Sequence, residues 1–426
     1  MRVAHFIQRY PPALGGSEAY FARLSRFLAQ GGDEVTVFTS TALALEAFWS
    51  RSGRCVPSGT GMADGVAIRR YALWRWPGRR YLLKALSVFP PASWQCLTLP
   101  CNPICPGMWR DAGRAGRLRS ARGAEQRSFD LVHASAFPYA WPIMCARRLA
   151  RALRVPFFLT PFLHLGDPDE PGDRTRRAYT QRPLRWLLHE ADRVFVQTRG
   201  EQRAVEALGI APQRIVLQGL GVDAGECTGG KRHASRAAWD VRAGETVIGH
   251  LANNSREKGT VDLLRALERI SSLPVRVVLA GPEMPNFQAF WKEWAPAHPL
   301  LAEKVRRVGI LDDVQKRDFF AGLDAFTLPS RSDSFGLVLL EAWANGVPSV
   351  VYRAGGPAEI VRHEVDGLQV RCGAIEELAG ALSKLCRDDA LRRRLGQAGN
   401  SRLQHEFCWA DKLALVKEEM RKASVV

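Results

Sequence analysis

The chain has 426 residues, 46% of them hydrophobic and 24% charged, which is an ordinary globular composition and enough material for two or three domains. No apolar run reaches the roughly 18 residues of a membrane-spanning helix, and the first residues lack the apolar core of a signal peptide. The 60 lysines and arginines outnumber the 43 acidic residues, giving a net charge of +17 that suits phosphorylated substrates, an anionic membrane or nucleic acid. The nine cysteines show no metal-ligand spacing, so we expect reduced thiols, a cytoplasmic location and no metal site.

The chain opens with the pattern of a doubly wound α/β domain. An apolar run at Val3–Ile7 predicts a buried strand, and a loop ending in Gly15 and Gly16 leads into an amphipathic helix before a second strand at Glu34–Thr39. The loop is not a G-x-G-x-x-G dinucleotide fingerprint. Two glycines at a helix start let a phosphate approach the backbone, although such a pair also serves simply to turn the chain.

Residues 50–128 are irregular in pattern and rich in basic and aromatic side chains. Such a mixture suits docking on an anionic lipid surface, with rings at the interface and arginines on head groups. It also fits stacking on single-stranded nucleic acid, or a solvated face above core aromatics. We favour the first and last interpretations and expect no nucleic-acid partner. The stretch Gly65–Leu86 interleaves Arg69, Arg70, Arg75, Arg79, Arg80 and Lys84 with Tyr71, Trp74, Trp76 and Tyr81, and Arg110–Arg127 adds further arginines.

Two histidines lie near predicted strand ends in the first half. One strand ends at His133, and the strand Val155–Thr160 runs into a loop that carries His164. Ligands of open α/β sheets bind beyond the carboxyl ends of the strands. His164 could therefore bind or polarise a ligand, or be an incidental surface histidine. A polar, Gly-rich stretch near residues 225–233 is a candidate linker between domains.

The strand–helix alternation restarts in the second half. A strand at Thr246–His250 is followed by a polar loop with Arg256 and Lys258, and then by the helix Val261–Arg269. A lysine just before a helix can neutralise a diphosphate, or it can be a solvated loop residue. Further strands are predicted at Val275–Ala280 and Val305–Gly309.

The most informative stretch is PSRSDSFGLVLLEAWANGVPSVV, residues 329–351. After a strand at Asp324–Pro329 it predicts a helix that is apolar on nearly all sides, capped by Gly346. Glu341 on that helix needs hydrogen-bond donors to stay charged, and Asp333 lies about 12 Å before it at a helical rise. The amides of Phe335, Gly336 and Leu337 would favour a phosphate. The alternative is a buried helix with a chance pair of acids.

This stretch, with Gly355, Gly356 and Glu359 after it, resembles the signature of the retaining GT-B glycosyltransferases called glycosyl transferases group 1. The family pattern is P-S-x-x-E-x-F-G-L-x-x-x-E-A-x-A-x-G-x-P-V-V, followed by G-G-x-x-E. Asp333 stands where the family usually has glutamate. Lys258-Gly259 matches the end of the family's G-R…K-G element, while His250 occupies the arginine position and Arg256 is a candidate for the missing charge.

The resemblance implies a GT-B fold. Two doubly wound Rossmann-like domains would flank an interdomain cleft, with a C-terminal helix crossing back to the first domain. We place the acceptor-side domain at 1–225, the donor domain at 226–404 and the returning helix at 405–426. The similarity is strongest from about 245 to 385 and absent from 50 to 128.

The resemblance also implies retaining, metal-independent transfer of a sugar from a nucleotide sugar, a UDP-sugar being the preferred candidate, with no cofactor. The acceptor would be a saccharide or lipid-linked saccharide, in cell-surface polysaccharide or glycolipid synthesis at the inner face of the cytoplasmic membrane. A non-catalytic nucleotide-sugar-binding relative and a sugar-nucleotide epimerase are the alternatives. The family also places a loop histidine near the acceptor, for which His164 and His133 are the candidates, and main chain after the strands Val275–Ala280 and Val305–Gly309 near the base. The implied catalytic residues are Asp333, Lys258 and His164, and the implied donor-binding residues are Gly15, Gly16, Arg256, Phe335, Gly336, Leu337 and Glu341.

Overall fold

The computed structural model describes the backbone of residues 1–121 and 128–424, and the side chains of these residues apart from 115–121. Part of the arginine-rich run Arg110–Arg127 therefore lies outside the described residues. Strands and helices alternate along the chain. Up to residue 218 the elements are β1 (Arg2–Phe6), α1 (Gly16–Gln30), β2 (Glu34–Ser40), β3 (Gly59–Ala63), β4 (Val66–Tyr71), α2 (Arg79–Leu86), α3 (Ala92–Thr98), α4 (Pro106–Ala121), β5 (Leu131–Ala134), α5 (Ala140–Leu153), β6 (Phe157–Leu159), α6 (Arg174–Tyr179), α7 (Arg182–Glu190), β7 (Arg193–Val196), α8 (Arg199–Ala207) and β8 (Ile215–Leu217), with 3-10 turns at Leu45–Phe48 and Pro212–Arg214.

The second half continues the same alternation. Its elements are α9 (Ala224–Cys227), α10 (Arg232–Ala238), β9 (Thr246–Leu251), α11 (Thr260–Arg269), β10 (Val275–Ala280), α12 (Pro285–Ala297), α13 (Pro299–Ala302), β11 (Val305–Gly309), α14 (Asp313–Gly322), β12 (Ala325–Leu328), α15 (Leu337–Ala344), β13 (Ser349–Tyr352), α16 (Pro357–Ile360), β14 (Gly367–Val370), α17 (Ile375–Arg387), α18 (Asp389–Glu406) and α19 (Trp409–Ser424).

The chain forms two compact units. Unit 1 comprises the chain up to Leu163, Arg177–Gln218 and the residues from Leu413 onward, and unit 2 comprises His164–Arg176 and Gly219–Lys412. The main boundary between the units thus lies after Gln218. The domain boundary predicted from the sequence was after residue 225. The short segment that carries His164 groups with unit 2.

Unit 1 is built on a sheet of order β3-β4-β2-β1-β5-β6-β7-β8. Its strands are parallel except for β3, which pairs antiparallel with β4. The central strand β5 is buried at every position, as expected for a parallel strand covered on both faces. Neighbours extend outward from β1 in both directions, so this unit is doubly wound as predicted.

Unit 2 is built on a parallel sheet of order β11-β10-β9-β12-β13-β14. Counted from β9, this is the order 3-2-1-4-5-6 of the Rossmann fold. Buried apolar side chains on α11, α12 and α17 pack on it. The strand order reverses between β9 and β12, and ligands of such sheets bind beyond the strand ends at this reversal.

The last helix, α19, contributes to unit 1 from Leu413 on. The Nζ of Lys417 lies 2.8 Å from the buried carboxylate of Asp33 and donates to the carbonyl of Gly31 at 3.1 Å. The N-terminal amine also binds Asp33, at 2.8 Å. The predicted return of the C-terminal helix to the first domain is therefore confirmed.

In the described part of the chain, no helix combines the length and the apolar character that crossing a bilayer demands.

Candidate functional site

Two loops lie side by side at the strand-order reversal of unit 2. Residues 252–259 follow β9, and residues 329–336 follow β12, its neighbour in the sheet. The backbone amide of Arg331 donates to the carbonyl of Glu257 at 2.9 Å, which joins the two loops directly. The topology therefore brings together two sequence motifs that are about 75 residues apart.

An ion pair forms across these loops. The Nζ of Lys258 lies 2.7 Å from Oδ2 of Asp333 and also donates to the carbonyl of Ser332 at 3.3 Å. Burial by itself raises the pKa of Asp333, but the charge of Lys258 opposes it and the net pKa lies below the usual range. The site thus holds an ionised carboxylate that faces a cation.

His164 completes this cluster. Its Nδ1 lies 3.1 Å from the hydroxyl of Ser332. Burial, reinforced by the nearby charge of Lys258, lowers the pKa of His164 to about 4, so the ring is neutral at pH 7. The structure therefore brings together the three predicted catalytic residues, and it adds Ser332, which the sequence reasoning did not single out.

His133, the alternative to His164, is a core residue. It lies in β5 with no exposed surface, its Nε2 is 2.8 Å from the Thr160 hydroxyl, and its ring packs edge-on against His5. A side chain enclosed in this way is not placed to touch a substrate, so the prediction that offered His133 as a candidate is wrong.

His250 supplies no charge to the site. It is fully buried, and its Nδ1 and Nε2 lie 2.9 Å from the carbonyl of Thr327 and the hydroxyl of Thr260. Because a carbonyl only accepts, Nδ1 carries the hydrogen and Nε2 accepts from Thr260. Burial lowers the pKa of His250 to about 4, so it stays neutral. The amide of Ser255 donates to the same hydroxyl at 3.1 Å, and His250 thereby orders the loop that carries Lys258.

Arg256 lies on the exposed side of that loop. Among the described residues, no ion pair of 4 Å or less forms at its guanidinium, although against the effect of burial its charge helps to lower the pKa of the neighbouring carboxyl of Glu257. Its proposed role in donor binding stays a prediction.

Glycines allow the two loops to approach closely. Gly259 has a φ of +75°, and a Cβ there would lie 1.9 Å from the carbonyl oxygen of Pro329. Gly355 has a φ of +55°, and a Cβ there would lie 2.4 Å from the carbonyl oxygen of Asp333. The amide of Gly356 donates to that same oxygen at 2.8 Å. The close approach of the two loops, which positions Lys258 and Asp333, therefore requires glycine at these positions. The motif alone did not reveal this requirement.

The helix α15 begins at Leu337, whereas the apolar run that predicts it begins at Phe335. Gly336 is its N-cap in the left-handed region, with a φ of 92°. The amide of Phe335 turns toward Oδ1 of Asp333 at 3.4 Å, and the Phe335 ring is buried. Phe335 therefore helps to orient Asp333, while Gly336 and Leu337 form the helix start, where outward N–H groups favour an anion.

Glu341 has the donor that its burial requires. It is 9% exposed, and its Oε1 lies 2.5 Å from Nζ of Lys316 on α14. Burial by itself lowers the pKa of Lys316, but the charge of Glu341 outweighs burial and the net pKa is raised. The pair stays ionised, and the sequence reasoning had not identified Lys316.

A cavity of about 700 Å³ lies beyond the ends of β10 and β11, where the family resemblance places the base. The guanidinium of Arg307 sits 4.6 Å from the ring centre of Trp291 and 2.8 Å from Glu283. The lining residues are Gly281, Pro282, Glu283, Trp291, Val305, Arg307, Gly309 and Ile310.

The predicted phosphate-binding glycines, Gly15 and Gly16, open α1 in unit 1. A Cβ on Gly15 would lie 2.2 Å from the carboxylate of Glu18, which pairs with Arg9 at 2.7 Å. The buried Glu18, in the first turn of α1, already offers a carboxylate to the helix N-terminus. The role of the two glycines stays a prediction.

Two known families match the chain in succession. The family described as "Glycosyl transferase 4-like domain" matches residues 15–221, and "Glycosyl transferases group 1" matches residues 231–402. The D-inositol 3-phosphate glycosyltransferase of Rhodococcus erythropolis is 30% identical, over 96% of this chain and 87% of that protein. The lipopolysaccharide core biosynthesis glycosyltransferase LpsD of Rhizobium meliloti is 31% identical, over 41% of this chain and 48% of its own length.

Solved structures share the fold. The Anabaena protein HepE in complex with UDP and glucose superposes with a TM-score of 0.72, at 18% identity and 99% coverage of both chains. The sucrose-phosphate synthase of Thermosynechococcus elongatus gives a TM-score of 0.70, at 20% identity over 99% of this chain and 98% of that one.

Proposed function

This chain belongs to the glycosyl transferases group 1 family and has the GT-B fold, and we propose that it transfers a sugar from a nucleotide sugar to a hydroxyl group, with retention of configuration and without a metal ion. One observation carries this proposal. The ion pair of Lys258 and Asp333, with neutral His164 beside it, lies where a Rossmann sheet binds its ligand.

Each of the site residues has a proposed role in this reaction. Negative charge develops on the departing nucleoside diphosphate, and Lys258, Arg256 and the amides at the start of α15 stabilise it there. Asp333 accepts hydrogen bonds from hydroxyls of the donor sugar. Glu341, kept ionised by Lys316, accepts from the ribose. Neutral His164 is able to hydrogen-bond a sugar hydroxyl without adding charge.

We propose a UDP-sugar as the donor, since the superposed Anabaena structure contains UDP and glucose. The names of the relatives point to acceptors that are polar saccharides or inositol phosphates. We propose that the acceptor here is a saccharide, free or lipid-linked, used in cell-surface polysaccharide or glycolipid synthesis on the cytoplasmic face of the membrane.

Thermal stabilisation by UDP, GDP, ADP and their sugars tests the donor site. A ligand at about 100 times its Kd adds about 2.7 kcal/mol of stability, which is roughly 5–10 °C for a unit of this size. We expect this shift with UDP and UDP-sugars in the wild type, and its loss in Glu341→Ala. Glu376→Ala removes an exposed, surface-paired carboxylate of the same unit and is expected to keep the shift.

The outcomes are distinct. If no nucleotide stabilises the wild-type chain, the proposal is wrong. A shift without sugar transfer or donor hydrolysis would identify a nucleotide-sugar-binding protein that has lost catalysis.

A further inference from the structure

Exposed apolar side chains concentrate in one short segment of unit 1. Among the described residues, seven of the fourteen large apolar side chains that are exposed fall between positions 74 and 94. Single exposed apolar residues are normal, but such a concentration marks an interaction surface. Five of the seven are aromatic: Trp74, Trp76, Tyr81, Phe89 and Trp94.

These side chains sit on ordered structure. The rings of Trp74 and Trp76 stack with their centres 6.5 Å apart, and those of Phe89 and Trp94 lie 6.3 Å apart. The indole N–H of Trp94 donates to the carbonyl of Leu86 at 2.9 Å, which fastens α3 to the end of α2. Tyr81, Leu82 and Trp94 lie on these two helices, whereas the other exposed apolar side chains lie in the connection between them, at residues 88–89, and in the loop before α2, at residues 74–76.

The charge of this segment has one sign. From Gly65 to Arg110 the sequence contains seven lysines and arginines and no aspartate or glutamate. Arg79 is buried, however, and Arg70 donates to the carbonyls of Tyr10 and Pro11. The basic residues that α2 leaves exposed are Arg80 and Lys84.

We propose that residues 74–94 dock on a lipid bilayer surface that contains anionic lipids. Tyrosine, tryptophan and phenylalanine then lie at the head-group level, while Arg80 and Lys84 contact lipid phosphates. The cores of protein–protein interfaces are instead depleted of lysine. The lipid-linked acceptor comes from the proposed function, but the docking rests on this surface alone.

Flotation of the full chain with vesicles tests the docking. We expect strong binding to an equimolar mixture of phosphatidylcholine and phosphatidylglycerol, weak binding to phosphatidylcholine alone, and release by salt. The Arg80→Gln/Lys84→Gln variant is expected to bind about thirty-fold more weakly, given the contribution of each basic residue near an anionic surface. The Val88→Ser/Phe89→Ser variant is expected to bind these vesicles at least about ten-fold more weakly than the wild type, because it loses apolar area that would be buried in the bilayer surface.

Matched controls alter the same chemistry elsewhere. Lys292→Gln/Arg387→Gln removes two exposed charges, and Leu300→Ser/Val365→Ser removes two exposed apolar side chains, so both should bind as the wild type does.

Nucleotide stabilisation, measured on every variant, separates this inference from the proposed function. If UDP stabilises the wild-type protein but the protein does not bind anionic vesicles, the docking proposal is wrong and the proposed function is unaffected. Variants of residues 80–89 that float like the wild type also overturn it. The docking proposal is also overturned if the wild-type protein dimerises and does not bind vesicles, while the variants of residues 80–89 are monomeric.

Discussion

The ion pair at the candidate site makes a counterintuitive prediction for Asp333→Asn. The ammonium of Lys258 is held by Asp333 at 2.7 Å. The isosteric amide removes the competing charge and leaves Lys258 with the carbonyl of Ser332. UDP, which lacks the sugar, should therefore bind the variant more tightly than the wild type. A UDP-sugar should not gain in this way, because the carboxylate that accepts its hydroxyls is gone.

The magnitude follows from the exposure of the pair. The side chains of Lys258 and Asp333 are 22% and 20% exposed, between an open surface pair and a fully buried one. Surface pairs are worth about 0–1 kcal/mol, and breaking buried pairs costs about 3–5 kcal/mol. An intermediate of about 1–2 kcal/mol corresponds to UDP binding that is about 5–30-fold tighter.

Isothermal titration with UDP and with a UDP-sugar measures the effect at pH 7. Asp324→Asn is the matched control, because Asp324 lies at the opposite end of β12, is similarly buried and pairs with Arg236. Its UDP affinity should be unchanged. In a Lys258→Met background, Asp333→Asn should bring no gain. UDP affinity that stays level or falls in Asp333→Asn alone would refute Lys258 as the phosphate ligand.

Three further predictions concern stability. Gly259→Ala should cost about 2–4 kcal/mol through backbone strain and collision, whereas Gly229→Ala, with a similar φ of +83° and open space around it, should cost about 1 kcal/mol; urea unfolding compares them. Burial lowers the pKa of His5 to about 3 and that of His133 well below its usual range, so below pH 6.5 the unfolded chain binds protons that the folded chain does not. The free energy of unfolding should then fall by about 1.4 kcal/mol per pH unit for each of these two histidines as the pH is lowered below 6.5. A folded His133→Gln variant whose stability depends on pH as steeply as that of the wild type would contradict this. Arg79→Met should raise the free energy of unfolding by about 1–3 kcal/mol, because its buried guanidinium has no hydrogen-bond partner among the described residues; a lower Tm would refute this reasoning.

The architecture of unit 2 could be predicted because the strands β10, β12 and β13 are buried on both faces and appear as apolar runs. The strand predicted at Val275–Ala280 is observed with the same bounds, and that at Thr246–His250 is one residue longer. Motifs that follow two adjacent strands of one sheet must meet at one edge, so the proximity of Lys258 and Asp333 follows from topology.

The two histidines show where this reasoning fails. A strand buried on both faces has no alternation of apolar and polar residues, so nothing in the sequence says that His133 points into the core. His164 lies beyond a strand end, in a segment that packs with unit 2, and its contact with Ser332 spans 168 positions. The position of a histidine relative to a strand end therefore did not show which of the two lies at the candidate site, whereas the packing of each side chain does.

The charge state of each candidate residue is likewise a tertiary property. Burial on an apolar helix predicts that Glu341 needs a donor, but Lys316 comes from another helix 25 positions earlier. Lys258 lies 75 positions from Asp333. His250 is neutral because the folded core buries it, although its hydrogen bond to the carbonyl of Thr327, 77 positions away, acts in the opposite direction. Local pattern identifies which side chains reach the strand-order reversal of unit 2. Whether each of them is charged there depends on burial and on partners that only the folded chain brings within 3 Å.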